Sequence, residues 1–303
     1  MTWTPAQLPD LSGKTILITG ANSGLGLQTT RHLAAAKARV LMACRDADKG
    51  ARAMDDLRAQ VPGARLELLE LDLADLASVG RLADRLLAQE TQLDVLINNA
   101  GVMAPPFQRT QDGFELQFGT NHLGHFALTG RLLPLLHAAP AARVVTVSSM
   151  AHRFGGIRLD DLNWHQRRYS AWLAYGQSKL ANLMFALELQ RRSADLGGRI
   201  QSYAAHPGYA ATHLQDDMPG GKIFNALFAQ SAEAGAYPSL LAATSTEAEP
   251  GSYYGPRILG TWGAPTRASI RPLAKRTAVA RQLWQVSEQL TGVVYQRACG
   301  PAR

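Results

Sequence analysis

Cysteine is nearly missing from this chain, with Cys44 and Cys299 alone among 303 residues. Two thiols make no disulfide framework, which excludes the small stapled secreted scaffolds and suits a reducing compartment. Long apolar runs are missing as well. No stretch reaches the ~18 apolar residues of a membrane-spanning helix, and the N-terminus has no apolar signal core. No transmembrane segment is expected, and the expected location is cytoplasmic. Lysine is scarce, with 6 residues against 25 arginines, and the net charge of +7 is scattered. Nothing is denser than pairs such as Arg167-Arg168 and Arg191-Arg192. Without a basic run or zinc-ligand spacing, neither a nucleic-acid partner nor a metal is expected. Internal repeats, low-complexity tracts and linkers are also absent, so residues 1–303 read as one domain. The hydrophobic content of 46% with 18% charged residues is that of a globular chain able to bury a sizeable core.

What is present is a rhythm of strands and helices. Residues 14–19 read as a short apolar strand, followed at once by Gly20, Asn22, Ser23, Gly24, Leu25 and Gly26. A helical pattern then runs to about Lys37. Strand, glycine-rich turn and helix N-terminus together make an anion site, because backbone N–H groups and the helix dipole point at a phosphate. A glycine-rich turn without a ligand is the plain alternative. The spacing is Gly-x3-Gly-x-Gly, not the Gly-x-Gly-x2-Gly of the long-chain dinucleotide fingerprint. Residues 39–44 form a second strand ending at Arg45. In a dinucleotide fold an acidic residue about 20 positions beyond the glycines binds the adenosine ribose. Arg45 stands there instead and suits a 2′-phosphate, which leans towards NADP(H). Asp46 reads as a helix cap in preference to a ribose ligand.

The alternation continues with a helix over 47–60 and a third strand over 65–71 closed by Asp72 and Leu73. A helix over 75–90 and a fourth strand over 93–97 follow, ending in Asn98, Asn99, Ala100 and Gly101. These small residues either let a ligand approach closely or make a plain turn. Strands apolar throughout imply a parallel sheet covered on both faces. A long helix over 113–139 carries Asn121, which is mildly unfavourable there. It is either a surface residue or one with a task. Residues 143–149 make the fifth strand, ending in Ser148 and Ser149, and residues 150–169 a polar connection. The next helix carries Tyr175 and Lys179 and runs to about Leu196. Strand six, 200–205, is stopped by His206, Pro207 and Gly208. Residues 215–303 are less regular, with helical patterns near 219–230, 232–245 and 273–291 and Pro/Gly-rich turns at 250–256 and 260–265. Cys44 reads as a buried strand-end residue, Trp262 and Trp284 as core in preference to a substrate wall, and His122 and His125 as helix surface or packing.

Tyr175 and Lys179 lie four apart, on one face of a helix. A free tyrosine, with pKa about 10, is a poor proton-transfer catalyst near neutral pH. A nearby lysine cation favours the phenolate and lowers that pKa, so the pair can exchange a proton with a carbonyl or alcohol oxygen.

Together, Thr19-Gly20-x3-Gly24-x-Gly26, Asp72, Asn98 to Gly101, Asn121, Ser149, Tyr175-x3-Lys179 and Pro207-Gly208 resemble the short-chain dehydrogenase/reductase family. The matches run from residue 14 to about 214 in the family's order. The glycine turn, the Ala43-Cys44-Arg45 strand end and His206-Pro207-Gly208 look most like its branch of retinol dehydrogenases and WW-domain-containing oxidoreductases. The membrane anchor common in animal retinol dehydrogenases is not expected here. The resemblance implies an α/β fold, a doubly wound, mostly parallel seven-stranded sheet of Rossmann type with helices on both faces. It implies NADP(H) at the carboxyl edge, with NAD(H) weaker. By resemblance Tyr175 is the proton donor and acceptor, and Lys179 lowers its pKa and binds the nicotinamide ribose. Ser149 bonds the substrate oxygen in preference to Ser148, and Asn121 holds a water linking Lys179 to solvent. Asp72 and Leu73 meet the adenine, Asn99 and Ala100 the adjoining ribose, and Pro207, Gly208 and Thr212 the nicotinamide end, with Gly101 also on the cofactor side. The implied partner is a small lipophilic alcohol or carbonyl compound, and homo-oligomerisation stays open. Ile223, Phe224, Leu227 and Phe228 make an apolar stripe in residues 215–230, a mobile substrate cover, an ordinary core helix or, less favoured with Lys222 as the one cation beside it, a membrane-docking face. The alternatives are an NAD-dependent dehydrogenase and a non-catalytic cofactor-binding sensor or scaffold.

Overall fold

The computed structural model describes residues 3–208 and 231–296. Thr212 and the 215–230 stripe lie outside them, as does Cys299. Strands β1 (Thr15–Thr19), β2 (Arg39–Cys44), β3 (Arg65–Glu70), β4 (Val95–Asn98), β5 (Ala142–Val147), β6 (Ile200–Ala205), β7 (Tyr253–Ile258) and β8 (Trp262–Arg267) form one sheet. Its order is β3-β2-β1-β4-β5-β6-β7-β8. The first seven strands pair in parallel. β8 pairs antiparallel with β7 and makes an eighth strand where seven were expected. Residues 260–265, expected as a turn, mostly belong to it. Gly255, Pro256, Gly263 and Pro265 hide this hairpin, because glycine and proline break a strand pattern. Proline is tolerated on β8 because that strand lies at the sheet edge.

The sheet is buried on both faces, as alternation along the strands requires. Leu17 and Leu41 point into one core, while Ile16, Ile18, Val40 and Met42 point into the other. Helices α1 (Gly24–Ala35), α2 (Ala47–Gln60) and α3 (Leu76–Gln89) cross between the first strands. The expected long helix over 113–139 is broken into several pieces. Leu116–Phe118 (α4) leads into a π turn over Gly119–Leu123, where the Gly124 amide reaches back to the Gly119 carbonyl. Gly124–Arg131 (α5) and Leu133–Ala138 (α6) follow, the last carrying a proline in its first turn. Ala171–Arg192 (α7) is buried without interruption from Ala174 to Leu189, which explains its lack of a polar face. It lies between β5, β6 and the C-terminal helix Thr277–Thr291, here α9; Ala232–Thr244 is α8. Trp284 is buried beside Phe126, Phe185 and Tyr295, as expected of core. No described helix is long and apolar enough to cross a membrane.

The chain reverses direction across the sheet between β1 and β4. In open parallel sheets, ligands bind outside the carboxyl ends of the strands at such a switch point.

Candidate active site

A cavity of about 1090 Å³ opens at that point. It is walled by the glycine turn, Arg45, Asp46, Asp72, Leu73, Asn99, Ala100 and Gly101. Gly20 and Gly24 have φ of +66° and +51°, a region side chains rarely adopt. A Cβ on Gly26 would stand 2.1 Å from the Gly20 carbonyl oxygen. The turn therefore presents bare backbone at the N-terminus of α1, where N–H groups and the dipole favour an anion.

Thr19 ties this turn to the end of β4. Its Oγ1 accepts from the amides of Asn99 and Ala100, both at 2.9 Å, and the Asn99 side chain donates to the Thr19 carbonyl at 2.8 Å. His125 completes the link. Its Nδ1 lies 2.9 Å from the Asn121 carbonyl and its Nε2 2.8 Å from Thr19 Oγ1. Burial pushes its pKa down to about 4, so the ring is neutral, donating through Nδ1 and accepting through Nε2.

At the end of β2, Asp46 caps α2, accepting from the Lys49 amide at 2.9 Å and meeting the Lys49 ammonium at 3.3 Å. That occupies the carboxylate, as the helix-cap reading expects. Arg45 is exposed and makes no hydrogen bond or ion pair with any described residue. Lys49 and Arg52 also wall the cavity, cations that sequence reasoning missed. The signal was available: Lys49 and Arg52 lie three apart, on one face of the helix expected over 47–60.

Tyr175 and Lys179 are buried at the other end of the site. Lys179 Nζ sits 5.7 Å from the Tyr175 ring centroid and donates to the Val147 carbonyl at 3.2 Å. The expected lowering of the tyrosine pKa is not the net result. Burial pushes Tyr175 up to about 12, with the Ser149 hydroxyl opposing it through a hydrogen bond. Burial likewise pushes Lys179 down to about 8. Ser148 and Ser149 diverge, as strand alternation requires. Ser148 Oγ donates to the Lys179 carbonyl at 2.7 Å, whereas Ser149 faces Tyr175.

Asn121 is fully buried, which rules out the surface reading. Its Oδ1 accepts from the Val102 amide at 2.8 Å, and its Nδ2 donates to the Val102 carbonyl and to Ser178 Oγ, both at 2.9 Å. A Cβ on Gly101 would lie 3.0 Å from Asn121 Oδ1 and 3.4 Å from Lys179 Nζ. The π turn thus holds the strand β4 loop against the tyrosine–lysine helix. On the far side, Gly208 has φ of +70° and its amide donates to His206 Nδ1 at 3.2 Å.

The pattern of the short chain dehydrogenase family matches residues 14–221. The chain belongs to that family. Retinol dehydrogenase 12 of Mus musculus is 41% identical over 299 residues, covering 97% of this chain and 90% of its own length. Retinol dehydrogenase 13 of Homo sapiens is 40% identical over 294 residues, covering 93% and 86%. Among solved structures, an uncharacterized protein from Mycobacterium paratuberculosis is 48% identical, with a TM-score of 0.83, covering 97% of this chain and 99% of that one. The Pseudomonas aeruginosa RhlG/NADP active-site complex is 25% identical, with a TM-score of 0.63, covering 80% and 94%.

Short-chain dehydrogenases are oxidoreductases that bind NAD(P)(H), and the residues here fit such a dinucleotide. The glycine turn leaves space that a Cβ would fill, and the cavity runs from it to Arg45, which has no partner among the described residues. Among the described residues, no group of His, Cys, Asp and Glu is arranged to hold a metal.

Proposed function

We propose that this short-chain dehydrogenase is an NADP(H)-dependent oxidoreductase interconverting a lipophilic alcohol and its aldehyde or ketone, with Tyr175 as the acid/base. One observation carries the reading: Tyr175 and Lys179 are buried together on α7, and the half-buried Ser149 hydrogen-bonds the Tyr175 hydroxyl.

A nicotinamide dinucleotide held by the glycine turn, Asp72, Leu73, Asn99, Ala100, Gly101, Pro207 and Gly208 would supply the hydride. Everything else falls to the protein. Ser149 orients the substrate oxygen and Tyr175 gives that oxygen its proton in reduction. With its pKa at about 12, the Tyr175 phenol keeps its proton at neutral pH and stands ready as an acid. Lys179 is cationic below about pH 8 and offsets the phenolate left behind. Asn121 serves by holding the Val102 loop and Ser178 in place. Arg45 favours the 2′-phosphate, since a guanidinium makes charge-assisted contacts that a ribose hydroxyl cannot match.

The rim supports a lipophilic substrate. Phe154, Trp172 and Leu173 are exposed, and the Trp172 ring stands edge-on to Tyr175 at 6.2 Å. Relatives named retinol dehydrogenases agree with an apolar alcohol or aldehyde. The test is NADPH consumption against a panel of aldehydes, ketones and quinones. Consumption that favours long apolar carbonyl compounds is expected. No consumption across the panel, and no NADP⁺ reduction with the matching alcohols, would contradict the reading.

A further inference from the structure

Behind Ser149 lies a buried group of side chains that the chemistry above does not use. His152 belongs to the short turn Met150–Arg153 and is 2% exposed. Its Nδ1 lies 2.7 Å from the Ser149 carbonyl oxygen. A contact of that length to a carbonyl needs a proton on Nδ1. Burial lowers the pKa of the ring, which keeps it neutral and leaves Nε2 as a bare acceptor. Nε2 is buried and has no hydrogen-bond partner among the described residues. Tyr253 stands edge-on to the His152 ring at 5.4 Å, its hydroxyl 3.4 Å from Nδ1 and also bonded to Ser148. On its other side Tyr253 meets the His206 ring at 4.9 Å. His206 receives the Gly208 amide, and Gly255 must lack a side chain to admit it, since a Cβ there would stand 1.8 Å from Nε2.

The row His152–Tyr253–His206 therefore grips two points at once, the Ser149 carbonyl and the Gly208 amide. Its members come from three separate places in the chain, the turn after β5, strand β7 and the end of β6. Among the described residues the Ser149 side chain has little other restraint, since its Oγ accepts a 3.2 Å bond from the Ala151 amide besides facing Tyr175.

We infer that His152 is a positioning residue, which donates Nδ1–H to the Ser149 carbonyl and so aims the Ser149 hydroxyl at the substrate oxygen shared with Tyr175. Tyr253 and His206 brace it and tie the serine turn to the Gly208 loop. The inference rests on the reading of Ser149 given above.

Four variants test it, with NADPH and decanal as probes: Ser149→Ala, His152→Leu, His152→Asn and the double variant Ser149→Ala/His152→Leu. One hydrogen bond lost should lower kcat of His152→Leu by about 2- to 12-fold, with the Kd for NADPH unchanged. In His152→Asn the side-chain amide puts an N–H near the place of Nδ1, so most of the rate should return. In the Ser149→Ala background, His152→Leu should cost nothing further, because it acts through the missing hydroxyl. A full additional loss in that background, or an Asn variant as slow as the Leu variant, would overturn the inference. Wild-type turnover in Ser149→Ala would overturn the assignment of Ser149 itself, and the role of His152 with it. Nitrogen NMR of the wild-type protein needs no variant to fold. It should show His152 protonated on Nδ1 and bare on Nε2, and the opposite tautomer would overturn the inference.

Discussion

The two halves of the site are built from different materials. On the nucleotide side, backbone does the work: Gly20, Gly24 and Gly26 leave room, the start of α1 supplies N–H groups, and Thr19 staples two strand ends. On the proposed chemical side, side chains carry it: the half-buried Ser149 and the buried His152, Tyr175, Lys179, His206 and Tyr253 come from positions spread over about a hundred residues. The first half can hold a charged ligand at modest cost because its donors face an open cavity. The second must keep ionisable groups in a low-dielectric pocket, which pushes Tyr175 up and Lys179 and the histidines down. Binding should therefore be sensitive to shape and charge at one end, and chemistry to protonation at the other.

The largest effect should come where the halves touch. Lys179→Met removes the cation beside Tyr175 and a group adjoining the Gly101 loop, so kcat should fall by roughly 10²- to 10⁴-fold, with weaker NADPH binding as well. Steady-state rates and fluorescence titration would check both. Turnover above half of wild type would remove the lysine from the chemistry.

Arg45→Ala acts on the nucleotide half alone. Hydrogen bonds to charged groups contribute about 1.5–3 kcal/mol, so NADPH affinity should drop about 10- to 150-fold while NADH affinity barely changes. Lys49 and Arg52 on the same wall should moderate the loss. Equal losses for both nucleotides would place phosphate selection elsewhere.

A pH profile probes the chemical half without a mutation. Carbonyl reduction should hold level through neutral pH and fall as pH rises through about 8, where Lys179 loses its charge.

Stability gives a smaller, opposite trend. His122, His125 and His206 are buried with pKa values lowered to about 3, 4 and 3 from an ordinary 6.5. Between those values the unfolded chain binds more protons than the folded one, so stability is complete above pH 6.5 and lost as pH falls towards 4. Glu115, whose pKa burial raises, works in the other direction as a single group. The melting temperature should drop from pH 7 to pH 5, and a flat or rising curve would contradict the burial of these rings.

The same division decides what could be read from the chain. The nucleotide half is local, since strand, glycine turn, helix and Arg45 follow one another within about thirty residues, and their spacing carries the meaning. Strands β1 to β6 were legible for the same reason, each an apolar run ended by a small or polar residue. Tyr175 and Lys179 were visible as a helical pair, yet their pKa values were not, because burial depends on helices and strands distant in sequence. Asn121 read as one residue of a long helix, whereas its role depends on a π turn that only packing against Val102 and Ser178 reveals. The hairpin of β7 and β8 was masked by its glycines and prolines. His152 and Tyr253 carried no pattern at all, since a hundred residues separate them.

The most direct test is the pair of measurements on Tyr175→Phe, turnover of decanal and affinity for NADPH. Phenylalanine keeps the ring but removes the proton, so kcat should fall by roughly 10²- to 10⁴-fold while the Kd for NADPH stays within about twofold, a change under 0.5 kcal/mol. Turnover above half of wild type, or a nucleotide affinity that collapses together with the rate, would contradict the separation of binding from proton transfer.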